Sequence, residues 1–339
     1  MRLFDDLAAG ETTWRQHAIY DRAADPPQLI IRPAGETCRS QHHNTSSACA
    51  FPRQPSLEGR ITTRRLKAAA IVKTADPITL FDRHAWRMHR DRAARSGCVD
   101  FLHAEVASRL VERLEDVGGR YRTAIDVGAQ SGALSRALAR QPGIEWVVAA
   151  DPSLEFLARC PGDRVAADPE LVPFREASFD LALSSLALHW VGDLPGALVQ
   201  FRRMLKPGGL FLAAMFGGQT LVELRTALFE AELAEEGGVS PRVSPTAELA
   251  DVAALLLRTG YAMPVADAEA ITVTYSDALA LMRDIRGMGE TNALSARRRT
   301  PLRRATLART MTFYAERFGL PDGRVPATFE ILFLTGRQP

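Results

Sequence analysis

From about residue 97 the chain alternates two kinds of hydrophobic pattern. Phe101, Val106, Leu110 and Leu114 recur at helical spacing, so 99–117 is predicted as an amphipathic helix, stopped by Gly118 and Gly119. The short apolar runs 123–127, 146–150, 179–184 and 210–215 are predicted as buried strands. Helical patterns lie between them over 133–140, 153–159 and 194–205, the last ended by the Lys206, Pro207, Gly208, Gly209 turn. Strands alternating with helices predict parallel βαβ units, and hence a doubly wound α/β sheet of Rossmann-like type.

Beyond this core, taken as 97–216, the pattern changes. Helices are predicted over 219–235, 246–258, 277–285 and 302–317, with strands at 271–275 and 327–336. The region 217–339 therefore reads as a helical cover with a final strand, and 76–339 as one domain. Residues 1–75 differ. The stretch from Arg32 to Arg65 is polar and broken by Pro33, Gly35, Pro52, Pro55 and Gly59, with no sustained period. Little apolar surface is available there to offset chain entropy, so a disordered extension is expected.

Composition narrows the class. A hydrophobic fraction of 46% and a charged fraction of 24% over 339 residues are those of a soluble globular protein. The net charge of +2 argues against a dedicated nucleic-acid binder. No apolar run is long enough to span a bilayer. The opening lacks the layout of a secretory signal, and Asp5, Asp6 and Glu11 do not suit a mitochondrial presequence. A cytoplasmic location is expected. Cys38, Cys49, Cys98 and Cys160 show no paired spacing, so free thiols are expected and no zinc site. His84 and His89 are five apart, on different faces of a helix, and no metal site is predicted. The basic run Arg297 to Arg299 with Arg303 and Arg304 reads as a solvated helix face, with an acidic partner as the alternative.

The candidate chemistry begins where the first strand ends. Asp126 is followed by a turn containing Gly128, Gln130 and Gly132, and then by a helix. Glycines let a ligand approach the backbone, and the helix start presents free N–H groups. Asp151 closes the next strand, 19 positions beyond Gly132, the spacing at which an acid accepts hydrogen bonds from ribose hydroxyls. The alternative is a helix N-cap at Asp151 or Ser153. Asp168, followed by Leu171, Val172 and Phe174, offers an acid for an exocyclic amine beside apolar walls for a ring. His189 and Trp190 follow the third strand of the core.

These residues resemble the class I S-adenosylmethionine (SAM) dependent methyltransferases. The run SSLALHWVGDLP from Ser184 to Pro195 and AMFGGQTLVELR from Ala214 to Arg225 are similar to the complex I assembly factor 5 branch and its bacterial relatives. So are GVSPRVSP from Gly238 to Pro245, GMGE from Gly287 to Glu290, and Phe81 to Arg83. The resemblance covers about residue 78 to the end. It implies SAM as cofactor, held by Asp126, Gly128, Gly132, Asp151 and Asp168, with Gln130 in the same turn either hydrogen-bonding the ligand or crowding its methionine end. It also implies a protein substrate, a respiratory complex I subunit, and a site of action peripheral to the inner membrane. Four activities stay open: methylation of that substrate, hydroxylation of an arginine in it, assembly chaperoning without turnover, and the carrier-protein methylation of biotin synthesis. His189 is the candidate base, unless His189 and Trp190 only pack the cleft wall. Trp190, Glu223 and Glu290 are the candidate substrate contacts, the two acids as partners of a basic side chain such as arginine, with plain surface acids as the alternative. One departure stands out: the family turn usually has glycine where this chain has Gln130.

Overall fold

The structure is a computed structural model that describes residues 17–21, 28–32 and 79–339. In chain order the strands are β1 (His17–Asp21), β2 (Gln28–Arg32), β3 (Thr123–Val127), β4 (Trp146–Asp151), β5 (Asp163–Ala166), β6 (Phe179–Ser185), β7 (Leu205–Phe216), β8 (Ala262–Tyr275) and β9 (Val325–Arg337). The helices are α1 (Arg83–Arg95), α2 (Phe101–Val117), α3 (Ala133–Leu138), α4 (Leu154–Leu157), α5 (Leu194–Met204), α6 (Val222–Glu236), α7 (Leu249–Arg258), α8 (Ala278–Met288) and α9 (Arg304–Phe318). A 3₁₀ turn spans Leu188–Trp190.

The strands form one sheet in the order β2-β1-β8-β9-β7-β6-β3-β4-β5. Pairing is parallel from β7 through β6, β3 and β4 to β5. β9 runs antiparallel between β7 and β8. The order reverses between β3 and β6, which opens a crevice at the carboxyl ends of these strands, where open α/β sheets bind ligands. This is the doubly wound sheet expected of the class I methyltransferase type. β1 and β2 fall within the segment expected to lack order, form an antiparallel pair and extend the sheet beyond β8. The remainder of that segment, 1–75, lies outside the described residues.

Alternation along the central strands explains the two layers of helices. Ala124, Leu181, Leu183, Leu210 and Leu212 point to the face covered by α2, α3, α6 and α9. Ile125, Val127, Ala182, Phe211 and Ala213 point to the face covered by α5 and α7. Side chains one apart on a strand face opposite ways, so a continuous apolar run is what a strand buried on both sides requires. Phe201 and Phe211 meet edge to face at 5.7 Å and are fully buried. Full burial of such a side chain contributes about 1.5–3 kcal/mol.

Helix starts are fixed by local caps. The carboxylates of Asp82, Asp193 and Asp277 accept from the backbone N–H of Ala85, Gly196 and Ala280. The hydroxyl of Ser153 accepts from Phe156 N at 3.2 Å, so the cap of α4 is Ser153, not Asp151. Several boundaries differ from expectation. β7 begins at Leu205 and absorbs the 206–209 turn, and β8 begins at Ala262 rather than 271. The helix expected over 153–159 is the single turn α4. Among the described residues no helix is long and apolar enough to cross a membrane.

Candidate active site

Asp126 is the fourth residue of β3 and is fully buried at the crevice. Ser135, on α3, donates its hydroxyl to Asp126 Oδ2 at 2.7 Å, while Oδ1 has no partner. Burial pushes the Asp126 carboxyl up to about 7, with the charge of Asp151 adding to the rise and the Ser135 bond opposing it. The turn after β3 passes through left-handed backbone at Gly128 (φ 82°), Gln130 (φ 46°) and Gly132 (φ 78°). A Cβ at Gly128 would fall 2.1 Å from that of Ala187, so this loop and the one after β6 touch through a glycine.

Gln130 occupies a conformation that disfavours side chains by roughly 1–2 kcal/mol. Two bonds hold it there. Its backbone N–H donates to Asp151 Oδ2 at 2.9 Å, and its Nε2 donates to Met288 O at 2.8 Å. The side chain therefore ties the turn to the end of α8.

Asp151 ends β4 with no solvent exposure. Ser153 N donates to its Oδ1 at 2.8 Å, and Arg90 of α1 pairs with both oxygens. Arg90 is itself fully buried, with its guanidinium 5.2 Å from the rings of Trp86 and Phe156. Asp168 carries the second arginine of the same helix. Arg83 donates Nε to Asp168 Oδ2 at 2.8 Å and Nη2 to Oδ1. Thus both acids expected to face a nucleoside are engaged by α1, two helical turns apart. Sequence reasoning missed Arg83 and Arg90 as site residues. In the sequence Phe81 to Arg83 is only a mark of family resemblance, and nothing in a sequence marks an arginine as buried.

On the other side of the crevice, Trp190 Nε1 donates to Glu290 Oε2 at 2.6 Å and His189 Nε2 lies 2.9 Å from the same oxygen. Burial raises the Glu290 carboxyl, but the His189 bond and the charge of Arg90 act against it and Glu290 lies below the usual range. Glu290 is therefore a carboxylate, and His189 Nε2 is the donor. His189 Nδ1 and Glu290 Oε1 are buried without a hydrogen bond, and Oε1 lies 3.9 Å from Arg90 Nη1 in a buried ion pair. His103, on α2, is buried with neither ring nitrogen bonded, and burial lowers it to about 4. Glu223 lies elsewhere. It accepts from Thr328 N at 3.1 Å and from Thr328 Oγ1, tying α6 to β9, and it does not line the cavity described next. Of the expected site residues, the structure thus groups His189, Trp190 and Glu290, gathers Asp126, Gln130 and Asp151 around the ends of β3 and β4, and leaves Glu223 apart.

A cavity of about 430 Å³ adjoins His189, Trp190 and Glu290. Its wall is largely aliphatic, from α6 and α8, with Arg242, Ser244 and Thr246 along one side. His89 Nδ1 sits 3.0 Å from Thr291 O. No group of metal-binding side chains occurs among the described residues.

The cofactor of this fold would bring an amino-acid end, a ribose and an adenine. Asp126 Oδ1, Gln130 Oε1, Ser131 Oγ and Ser185 Oγ are all buried and unpartnered near the ends of β3 and β6. Unpaired buried polar atoms are costly, and a polar ligand satisfies them. The residues fit an amino-acid end at Asp126 and a ribose at Asp151, provided Arg90 yields its carboxylate. Sheet order, glycine turn and acid placement define the class I, SAM-dependent methyltransferases. Residues 125–213 match the family described as a methyltransferase domain. The chain is 40% identical to the mitochondrial arginine-hydroxylase NDUFAF5 of Danio rerio over 270 residues, covering 77% of this chain and 84% of that one. The human NDUFAF5 is 39% identical, over 76% of this chain and 77% of its own. A malonyl-[acyl-carrier protein] O-methyltransferase of Halorhodospira halophila is 38% identical, over 74% of this chain and 86% of its own. The chain belongs to this family, which spans NDUFAF5 and the malonyl-carrier-protein methyltransferases.

Proposed function

We propose that this protein is a SAM-dependent enzyme of the NDUFAF5 branch that methylates a protein substrate during assembly of respiratory complex I. The observation that carries the reading is the ionised Glu290 beside the cavity, with Oε2 held by His189 and Trp190 and Oε1 without a hydrogen bond, 3.9 Å from Arg90 Nη1. Such a carboxylate suits a basic side chain of a polypeptide. When bound, SAM supplies an electrophilic methyl group on its sulfonium. Asp126 in its ionised form holds the ammonium of the cofactor. Asp151 accepts from the ribose, and Asp168 from the adenine amine. Glu290 fixes the tautomer of His189 by taking its Nε2 proton in a hydrogen bond, which leaves Nδ1 as the acceptor for the proton lost by the nucleophile. The aliphatic cavity wall excludes water.

Deleting the gene in the source organism tests the reading. Complex I activity should fall while growth without biotin continues. Normal complex I together with a biotin requirement would instead place the protein with the malonyl-carrier-protein methyltransferases.

A further inference from the structure

The cavity has a polar side that the reading above does not use. Arg242, Ser244 and Thr246, spaced two apart, all line it. Arg242 Nη2, Ser244 Oγ and Thr246 Oγ1 are withheld from water, and none has a hydrogen-bond partner. Three such atoms on one five-residue segment are costly unless something else satisfies them.

The segment is pinned at its start. Arg242 Nε donates to Glu232 Oε1 at 2.6 Å, and Ser240 gives the same carboxylate its N–H and its hydroxyl. Pro241 O accepts from Asn292 Nδ2 at 2.7 Å. These contacts fix what the free atoms can recognise. A guanidinium only donates, so the ligand must bring an acceptor. Glu232 already balances the charge of Arg242, and a second carboxylate would leave an excess negative charge in a poorly solvated place that also holds Glu290. Arg283 and Arg286 stand at the cavity mouth, but both are exposed, and water and salt screen them. An uncharged acceptor therefore fits the segment. The opposite end of the cavity offers the ionised Glu290, whose Oε1 accepts no hydrogen bond and lies 3.9 Å from Arg90 Nη1, and the wall between is aliphatic. The complementary ligand has a cationic head, an apolar stem and an uncharged carbonyl. A long basic residue within a polypeptide has this form.

We infer that the segment 242–246 reads the main chain of a bound polypeptide, with Arg242, Ser244 and Thr246 taking a carbonyl oxygen at the residue whose side chain fills the cavity. The inference rests on the protein-substrate reading and adds the group that recognises substrate as polypeptide.

Binding to the full chain, without cofactor or turnover, tests it with three probes measured by ligand-observed NMR. N-acetyl-arginine N-methylamide carries both the head and an uncharged main chain. Butylguanidinium carries the head and stem alone. N-acetyl-arginine ends in a carboxylate. The capped residue should bind about tenfold more tightly than butylguanidinium, the scale of one to two satisfied buried donors. It should also bind more tightly than the carboxylate. In Ser244→Ala/Thr246→Val the advantage should shrink several-fold, while butylguanidinium binds as in the parent protein and so reports an intact cavity. Equal affinity of the capped residue and butylguanidinium, or an advantage that survives the double substitution, would overturn the main-chain reader alone. A carboxylate that binds best would overturn the uncharged acceptor. Failure of every probe would remove the protein-substrate reading of the cavity together with this inference.

Discussion

Asp126 is a buried residue whose titration bears on stability and on its expected role at the cofactor. Its carboxyl is pushed up to about 7 from an ordinary 3.8, chiefly by burial. The folded state thus holds this proton more tightly than the unfolded chain does. Its contribution to stability is full below the unfolded value and is lost as pH rises through the folded one. His103 acts in the opposite sense. Burial lowers it from 6.5 to about 4, so it penalises the fold as pH falls across that interval. Between about pH 4 and 6.5 the two slopes oppose each other. We expect Asp126→Asn to remove the first and steepen the rise of stability with pH, measured by urea unfolding of the cofactor-free protein. We also expect SAM affinity to increase as pH passes through about 7, because only the carboxylate holds an ammonium, and to lose that dependence in Asp126→Asn. A pH-independent affinity in the parent protein would show that Asp126 does not meet the charged end of the cofactor.

At the scale of elements, the turn from β3 to α3 is the informative case. Gln130→Gly would restore the usual loop and relieve a strained φ. It would also remove the Nε2 bond to Met288 O, leaving a buried carbonyl short of a partner, at about 1–3 kcal/mol. We expect the loss to exceed the relief, so the variant should unfold at lower urea while SAM affinity stays equal or improves. Unchanged stability would mean that the bridge to α8 contributes nothing. This bridge marks the limit of what the sequence discloses. β3, β4, β6 and β7 were legible because parallel strands buried on both faces need unbroken apolar runs. β5 was not, because as an edge strand its residues Asp163–Ala166 are mostly exposed and two are charged. α1 was missed because its thirteen residues include five arginines, and its buried face of Ala85, Trp86, Arg90, Ala93 and Ala94 has a single large apolar side chain. The acids expected at the cofactor, Asp126 and Asp151, stand at the ends of β3 and β4 as their spacing predicts. Glu223 was expected at the substrate but serves Thr328, since sequence gives an acid's place along a helix and not what stands opposite it.

The molecule as a whole is closed over its crevice by α1 and the segment 290–297, which are joined to each other. Asp82 N donates to Ala293 O at 2.7 Å, Arg92 Nη2 to Thr291 Oγ1 at 3.1 Å, and Arg297 Nη2 to Asp82 Oδ2 at 2.9 Å. One continuous cover therefore reaches from Asp151 and Asp168 to Glu290 at the cavity, so a cofactor that takes Asp151 from Arg90 disturbs both sites. The buried pair Arg90–Asp151 makes the competition measurable. In Arg90→Met the stem still fills its place beside Trp86 and Phe156, but Asp151 loses its counter-charge. Breaking one partner of a buried pair costs about 3–5 kcal/mol. The variant should melt well below the parent protein. SAM restores hydrogen bonds to Asp151 without first displacing a guanidinium, so it should raise the melting temperature of Arg90→Met by more than it raises that of the parent at equal concentration. A smaller rise in the variant would mean that Arg90 stays in the loaded site as a ligand of the cofactor, and the competition between α1 and SAM would have to be abandoned.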